Sequence, residues 1–350
     1  MIYSSFKASH HLQRIERLRK KQLILPTQVQ IDLTNKCNHR CPYCFYRYDQ
    51  NDKLNALFNR KDEIPYERMI RLLKEFRELQ IPAVQYTGGG EPLLYPRLKD
   101  ILQETIDNGI EYSLVTNGNL IDYGHLDLLK KATWIRVSLD ASTPETYIKS
   151  QGADHFKETI QAIEMLAREC KNNTVGISFV ANPINWKEIY QATVLARSLG
   201  VDNIRLSVAY TPKGARLYAD YWDEIEKLAR LSKQLESKDF KVFNLITSHL
   251  DNLDYKHKGY DFCGYQHFTA VIGADQIVYP CCTLKYNSII PFGSLKDKTF
   301  YEIWTGDKRK AWLKRDHLKE VCDNWPCWMD KKNEFISYLV HPNPPHKNFV

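Results

Sequence analysis

The residues most able to do chemistry here are cysteines. The chain has nine, in two groups with Cys170 alone between them. Cys37, Cys41 and Cys44 form a C-x3-C-x2-C run in CNHRCPYC. Cys263, Cys281, Cys282, Cys322 and Cys327 fall in the last quarter of the sequence. Three thiolates in one short loop suit an iron–sulfur cluster. A four-iron cluster takes four ligands, so a loop supplying three leaves one iron open to an exogenous ligand. The same spacing also allows a zinc site with a distant fourth ligand. Two separate cysteine groups predict two metal sites. Cys170, in a helical stretch, reads as buried packing.

The elements around the first group predict where it sits. TQVQIDLT (27–34) alternates as a strand and puts CNHRCPYC on the loop after its C-terminal end, where α/β barrels build active sites. Further strands are expected at 83–88, 112–118, 134–141, 175–182 and 203–210. Helices are expected at 66–80, 98–109, 155–170 and 186–200. This βα alternation predicts a parallel sheet. The strands are not apolar throughout. Val29, Ile31 and Leu33 oppose Gln28, Gln30, Asp32 and Thr34; Ile135, Val137 and Leu139 oppose Arg136, Ser138 and Asp140; Ile204, Leu206 and Val208 oppose Arg205 and Ser207. A sheet with helices on both faces would lack that polar side. A sheet curled around a wet lumen accounts for it. Strand phase selects Gln30, Asp32, Gln85, Arg136, Asn182 and Arg205 as substrate-facing. Farther on, AVIG-ADQIVYP reads as a hairpin turning at Gly273–Asp275, and 296–315 as helical with a break near Gly306. A charged helix is expected at 11–22, a polar insertion at 46–65, and an extended or loose end in HPNPPHKNFV.

With these residues in place, the chain resembles the radical S-adenosylmethionine (SAM) enzymes. Three more segments match in order and position: TGGGEPLL (87–94) after the second strand, TNG (116–118) at the end of the third and VSLDA (137–141) at the end of the fourth. The resemblance spans roughly residues 27–210. It implies that Cys37, Cys41 and Cys44 ligate a 4Fe-4S cluster that binds SAM. Gly88, Gly89 and Gly90 would pass close to the methionyl ammonium, with Glu91 accepting a hydrogen bond from it. Tyr43 would meet adenine. Asn117 and Ser138 would touch the ribose or the carboxylate. The second cysteine group resembles the SPASM/twitch extension of the same family, as do the VYPCC, FGSL and YEIW segments. A full SPASM domain holds two auxiliary clusters and usually has seven cysteines. Five are present here, which points to the single-cluster form with Cys263, Cys281, Cys322 and Cys327 as ligands and Cys282 spare. The last pair departs from the commoner C-x2-C. The expected fold class is α/β: a partial (βα)6 TIM-like barrel with a small C-terminal cysteine-rich iron–sulfur domain. The expected divisions are an N-terminal helical extension (1–26), the barrel (27–240), the auxiliary domain (241–330) and a tail (331–350).

The implied function is reductive cleavage of SAM to a 5′-deoxyadenosyl radical that abstracts hydrogen from a substrate. One auxiliary 4Fe-4S cluster would assist oxidation or modification of a small molecule or a peptide side chain. An external donor such as flavodoxin or ferredoxin would supply the electron. Twitch-bearing members include an aminoglycoside-precursor alcohol dehydrogenase and a GTP cyclase; the Gly-Gly ending typical of the latter does not occur here. Composition agrees with a folded enzyme: 43% hydrophobic and 26% charged residues. No apolar run is long enough to span a membrane, and the first residues lack a signal-peptide pattern, so a cytoplasmic protein is expected. The charge balance, 49 minus 42 or +7, and the RIERLRKK run raise modification of a nucleotide or nucleic acid as an alternative. A solvated helix face explains that run more simply. A non-enzymatic iron–sulfur or zinc protein on the same fold is the other alternative.

Overall fold

The computed structural model describes residues 4–47, 55–209, 214–247, 258–288, 291–324 and 327–344. The strands are β1 (Gln28–Asp32), β2 (Ala83–Thr87), β3 (Glu111–Thr116), β4 (Trp134–Ser138), β5 (Thr174–Ala181), β6 (Asn203–Val208), β7 (Lys241–Asn244), β8 (Thr269–Ile272), β9 (Ile277–Tyr279) and β10 (Gly293–Ser294). They form one sheet in the order β10-β9-β8-β1-β2-β3-β4-β5-β6-β7. Strands β1 to β7 are parallel neighbours in sequence order. Strand β8 adds to the free edge of β1, also parallel, and β9 and β10 continue antiparallel.

The alternation read from the sequence sets the two faces. Val29, Ile31, Val84, Tyr86, Leu114, Ile135, Val137, Ile177, Phe179, Ile204 and Leu206 join one large buried core with the outer helices. Helix Tyr66–Glu78 brings Met69, Leu72, Leu73 and Phe76 to it, all buried and all on one stripe at helical spacing. Each such side chain contributes roughly 1.5–3 kcal/mol on burial. Helix Leu98–Asp107 ends where Gly109 takes φ +70°, a left-handed turn that favours glycine. The opposite face carries Gln30, Gln85, Arg136, Ser138, Ser178 and Arg205, as the curled-sheet expectation requires.

Several elements lay outside the sequence reading. A helix, Pro144–Gln151, follows β4; its start is set by the Thr143 side chain and Pro144, and its end by Gly152 at φ +62°. It is short and capped rather than strongly periodic, so periodicity did not register it. Strand β7 pairs with β6, so the expected division at 240/241 falls immediately before a barrel strand. The sheet also runs on through β8 to β10, so the cysteine-rich segment continues the barrel wall. Residues 331–340 of the expected tail belong to a helix, Asp330–Val340. Its Ile336 packs with Ile15, Leu18 and Ile24 of the N-terminal extension and with Phe268. The two ends of the chain thus brace each other beside β8. The tail's last residues, 345–350, and part of the 46–65 insertion lie outside the described residues.

The β8–β9 turn holds a non-glycine residue in the left-handed region: Gln276 has φ 67°. Gln276→Gly is expected to raise stability by up to about 1 kcal/mol by removing the Cβ penalty there. A thermal midpoint of the reconstituted variant unchanged or lower than that of the parent would refute this.

Candidate active site

The first cysteine loop follows β1 and is pinned to the ends of its neighbours. The Arg40 N–H donates to the Gln151 carbonyl at 3.0 Å, and the Cys41 thiol lies 3.5 Å from the same oxygen. Gln151, almost fully buried, donates to the Ser138 carbonyl at 3.2 Å and accepts from the Asp140 N–H at 3.2 Å. Gly152 follows because a Cβ there would stand 2.5 Å from the Arg40 oxygen. On the other side, the Asn117 amide donates to Asn38 at 2.8 Å and Asn38 to Asn119 at 3.1 Å. The loop is thus held by residues that close β3 and β4. Burial first, then Asp140, Cys44 and Cys37, hold the Cys41 thiol well above its usual pKa. All nine cysteines are free of disulfides. Among the described residues no three His, Cys, Asp or Glu side chains form a preassembled metal cage.

Tyr43 points back into this network, its hydroxyl donating to Asp140. The other Asp140 oxygen accepts from the Val180 N–H at 2.6 Å, and burial pushes the carboxyl up to about 6. Asp140 was absent from the expected site residues, although VSLDA contains it. Its alternation with Ser138 was the only available signal.

The glycine-rich loop packs on the cysteine loop. A Cβ on Gly90 would lie 2.1 Å from the Lys36 oxygen, one on Gly89 2.2 Å from Asn35 Oδ1, and one on Gly88 2.3 Å from the Gly90 oxygen. At Gly89 and Gly90 the close approach is therefore to residues leading into Cys37, and at Gly88 it is to the loop's own Gly90. Glu91, expected to accept from the methionyl ammonium, is engaged by donors of the chain itself. Its carboxylate accepts from the Thr116 hydroxyl at 2.6 Å, the Asn117 N–H at 2.7 Å and the Leu93 N–H at 3.0 Å. It is 3% exposed, and burial pushes its pKa up against the pull of those donors. Asn117, expected at the ribose or carboxylate, likewise uses its side chain on Asn38. Both residues brace the loops around the site.

On the polar face, Gln28 donates to Gln85 at 2.8 Å, and Gln30 lies 3.4 Å from the Tyr265 hydroxyl. Ser138, Ser178 and Arg205 sit in one register row, and Arg205 donates to Ser178 at 3.0 Å. Arg136 lies over the Trp134 ring at 5.2 Å. Two phase-selected residues differ from expectation. Asn182 falls just past the end of β5 and folds its side chain into a turn: Oδ1 accepts from the Ile184 N–H and Nδ2 donates to the Val180 carbonyl. Asp32 is fully buried and pairs with Lys285 at 2.5 Å, while the same oxygen accepts from the Gly89 N–H at 2.9 Å and lies 2.9 Å from the Tyr286 hydroxyl. Strand phase turned Asp32 inward correctly, but the C-terminal segment consumes it.

The four expected auxiliary cysteines share one electrostatic neighbourhood. Cys322 and Cys327 each act on Cys281, and Cys263 acts on both Cys322 and Cys327. Burial is the largest cause in each case, raising Cys263 to about 11 and Cys322 to about 12. Cys282 differs in its surroundings. Burial raises it while Lys285 and Lys332 pull it down, and it packs with Val271, Tyr279 and Tyr286. Cys282 is also the first charge neighbour of Cys281, but the two pack differently, Cys281 against the main core and Cys282 against the Val271, Tyr279 and Tyr286 cluster. Cys170 is buried in the core as expected.

Comparison with known proteins fits this geometry. Residues 31–196 match the Radical SAM superfamily and residues 263–328 the SPASM iron–sulfur cluster-binding domain. A Saccharolobus islandicus protein named "Probable GTP 3′,8-cyclase" is 29% identical over 231 residues, 63% of this chain and 71% of that protein. A Pyrococcus furiosus protein named as a tungsten-containing aldehyde ferredoxin oxidoreductase cofactor-modifying protein is 21% identical over 330 residues, 84% of this chain and 85% of its own length. The fold resembles Streptococcus suis SuiB bound to S-adenosylmethionine, with TM-score 0.65 and 16% identity over 85% of this chain and 70% of that one. It also resembles anSMEcpe with bound AdoMet, with TM-score 0.62 and 17% identity over 88% of each chain. The chain is an enzyme of the radical SAM superfamily, using SAM and a 4Fe-4S cluster, with a SPASM-type auxiliary iron–sulfur domain at its C-terminal end.

Proposed function

We propose that Cys37, Cys41 and Cys44 hold the SAM-binding cluster and that Cys263, Cys281, Cys322 and Cys327 hold one auxiliary cluster. The enzyme would oxidise or modify a small molecule or a peptide side chain in the lumen between them. What supports this is the mutual influence of Cys263, Cys281, Cys322 and Cys327, together with the different packing of the adjacent cysteines, Cys281 against the main core and Cys282 against Val271, Tyr279 and Tyr286. When bound, the first cluster supplies the electron that cleaves SAM to a 5′-deoxyadenosyl radical, with an external donor such as flavodoxin or ferredoxin behind it. The chain's own residues position and shield. Glu91, Asn117 and Gln151 hold the loops that frame the cysteines. Tyr43, fixed through its hydroxyl, would present its ring to adenine, and Ser138 would meet SAM from the strand face. On this reading the barrel division runs from 27 through β7, and the auxiliary division after it shares the wall through β8.

Metal counting tests the ligand set. Anaerobically reconstituted Cys322→Ala is expected to lose about four of about eight irons, whereas Cys282→Ala keeps them all. Loss of iron from Cys282→Ala with retention in Cys322→Ala would reverse the assignment. A nucleotide substrate is the second reading, favoured by the similarity to proteins named as GTP 3′,8-cyclases. GTP left unconsumed by the reconstituted enzyme under reducing conditions with SAM would count against it. Among the described residues no helix is long and apolar enough to cross a membrane, and a cytoplasmic location is part of the same proposal.

A further inference from the structure

We infer that Lys258 and Asp330 set the reduction potential of the auxiliary cluster in opposite senses, the buried ammonium raising it and the buried carboxylate lowering it. This rests on the reading of Cys263, Cys281, Cys322 and Cys327 as that cluster's ligands. The two side chains form an ion pair at 3.5 Å and are almost sealed from water, at 2% and 8% exposure. Hydrogen bonds fix the pair to segments carrying three of the four cysteines. The Lys258 N–H donates to Asp323, the residue after Cys322, at 3.2 Å. Asp330 follows Cys327 by three residues, and its N–H donates to the Cys327 carbonyl at 3.4 Å. Its carboxylate also accepts from the Tyr260 hydroxyl at 2.7 Å. Asn333, on the same helix as Asp330, donates to that hydroxyl at 3.2 Å and accepts from the Tyr265 N–H at 2.8 Å. Tyr260 and Tyr265 flank Cys263 in the chain. The pair is thus held between the segments of Cys263, Cys322 and Cys327.

A buried ion pair is weak evidence of stability, because desolvating both groups offsets much of their attraction. A role toward the thiolates explains its place. Four thiolates bring negative charge into a buried space, and reduction of a cluster there adds one electron more. A nearby cation stabilises the reduced form and raises the potential; a nearby anion does the reverse. Buried charges are screened little by salt or water, so both fields reach the cluster. The thiols register them. Burial raises Cys322 and Cys327, Lys258 pulls both down, and Asp330 pushes both up, as it does Cys263. The Met329 N–H, 3.4 Å from the Cys327 sulfur, adds a donor on the side of the cation. Removing either charge changes the field whatever else its partner touches, so the sign of each shift is fixed.

The test is a redox titration of the anaerobically reconstituted holoenzyme, followed by electron paramagnetic resonance. SAM binds the cluster with the open iron, so the signal that SAM leaves unchanged reports the auxiliary cluster. Lys258→Met should lower the midpoint of that signal and Asp330→Asn should raise it. Each shift should be about tenfold in the ratio of reduced to oxidised cluster at fixed potential, about 59 mV for one electron. Lys258→Arg keeps the charge and should stay near the parent midpoint. Lys319→Gln, at an exposed ion pair with Asp316, should leave it in place. Iron counting verifies that each variant holds both clusters. A merely structural role would lower iron content without moving the two midpoints apart. Unchanged midpoints, shifts of one sign in Lys258→Met and Asp330→Asn, or a Lys258→Arg midpoint as low as that of Lys258→Met overturn the inference. Should Lys258→Met lose its iron, an Asp330→Asn midpoint at or below the parent's overturns it alone. About four irons in the wild type and no signal insensitive to SAM would bring down the auxiliary-cluster reading, and the inference with it. Two clusters whose midpoints ignore both charges would leave that reading standing and remove the inference only.

Discussion

Replacing Cys37, Cys41 and Cys44 together by alanine is expected to remove about four of about eight irons and to abolish 5′-deoxyadenosine formation. The measurement is iron and sulfide counting after anaerobic reconstitution, beside a dithionite–SAM assay. The effect should be complete. These three thiols sit on one loop held by Gln151, Asn117 and the glycine-rich segment, and none of the other cysteines lies on that loop. The auxiliary group should keep its irons because its cysteines, Cys263, Cys281, Cys322 and Cys327, lie on other segments, before β8, after β9 and beyond Val321. Four irons in the wild type and none in the variant would remove the auxiliary cluster from the account. Zinc without iron, and no deoxyadenosine from the wild type, would contradict the reaction assigned to the fold.

The Asp32–Lys285 pair carries the second large effect. Both groups are buried, at 0% and 4% side-chain exposure, so removing either partner strands a charge. Burial alone would lower the Lys285 pKa, but Asp32 and Tyr46 hold it above its usual value, so Lys285 stays charged through the neutral range. Lys285→Met or Asp32→Asn alone should cost about 3–5 kcal/mol. For a chain of this length that lowers the thermal midpoint by roughly 4–7 °C. The double variant Asp32→Asn/Lys285→Met should recover most of the loss, because no unpaired charge remains. Additive losses in the double variant would show that the two side chains act independently. The pair also bridges the two halves of the site: Asp32 precedes the first cysteine loop, receives the Gly89 N–H, and meets the lysine just after Cys282. Both single variants should therefore lower iron content at both sites, whereas an exposed pair such as Lys319–Asp316 should not matter.

Much of the fold was legible because period-two alternation is a local property. Val29, Ile31 and Leu33 against Gln30 and Asp32 already separated core from lumen, and the register of β1 to β6 follows that phase. Where local signals were weak, the reading stopped short. Helix Pro144–Gln151 depends on Thr143 and Gly152 at its ends more than on a stripe. Strand β7 and the final helix are recognisable only by what they pair with or pack on. Asn182 kept the right phase, but the strand ended one residue earlier.

Cysteine spacing, the glycine-rich segment and the strand-end motifs were by themselves enough to determine the family and its cofactors. Tertiary structure decided which way each group points. It packed Cys281 against the main core and Cys282 against Tyr279 and Tyr286, engaged Glu91 with Thr116 and Asn117, and brought Lys285 to Asp32. The physical reason is range. Ligand type and spacing are written in neighbouring residues, whereas a carboxylate or ammonium finds its partner among residues hundreds of positions away, where burial leaves it no water to settle for.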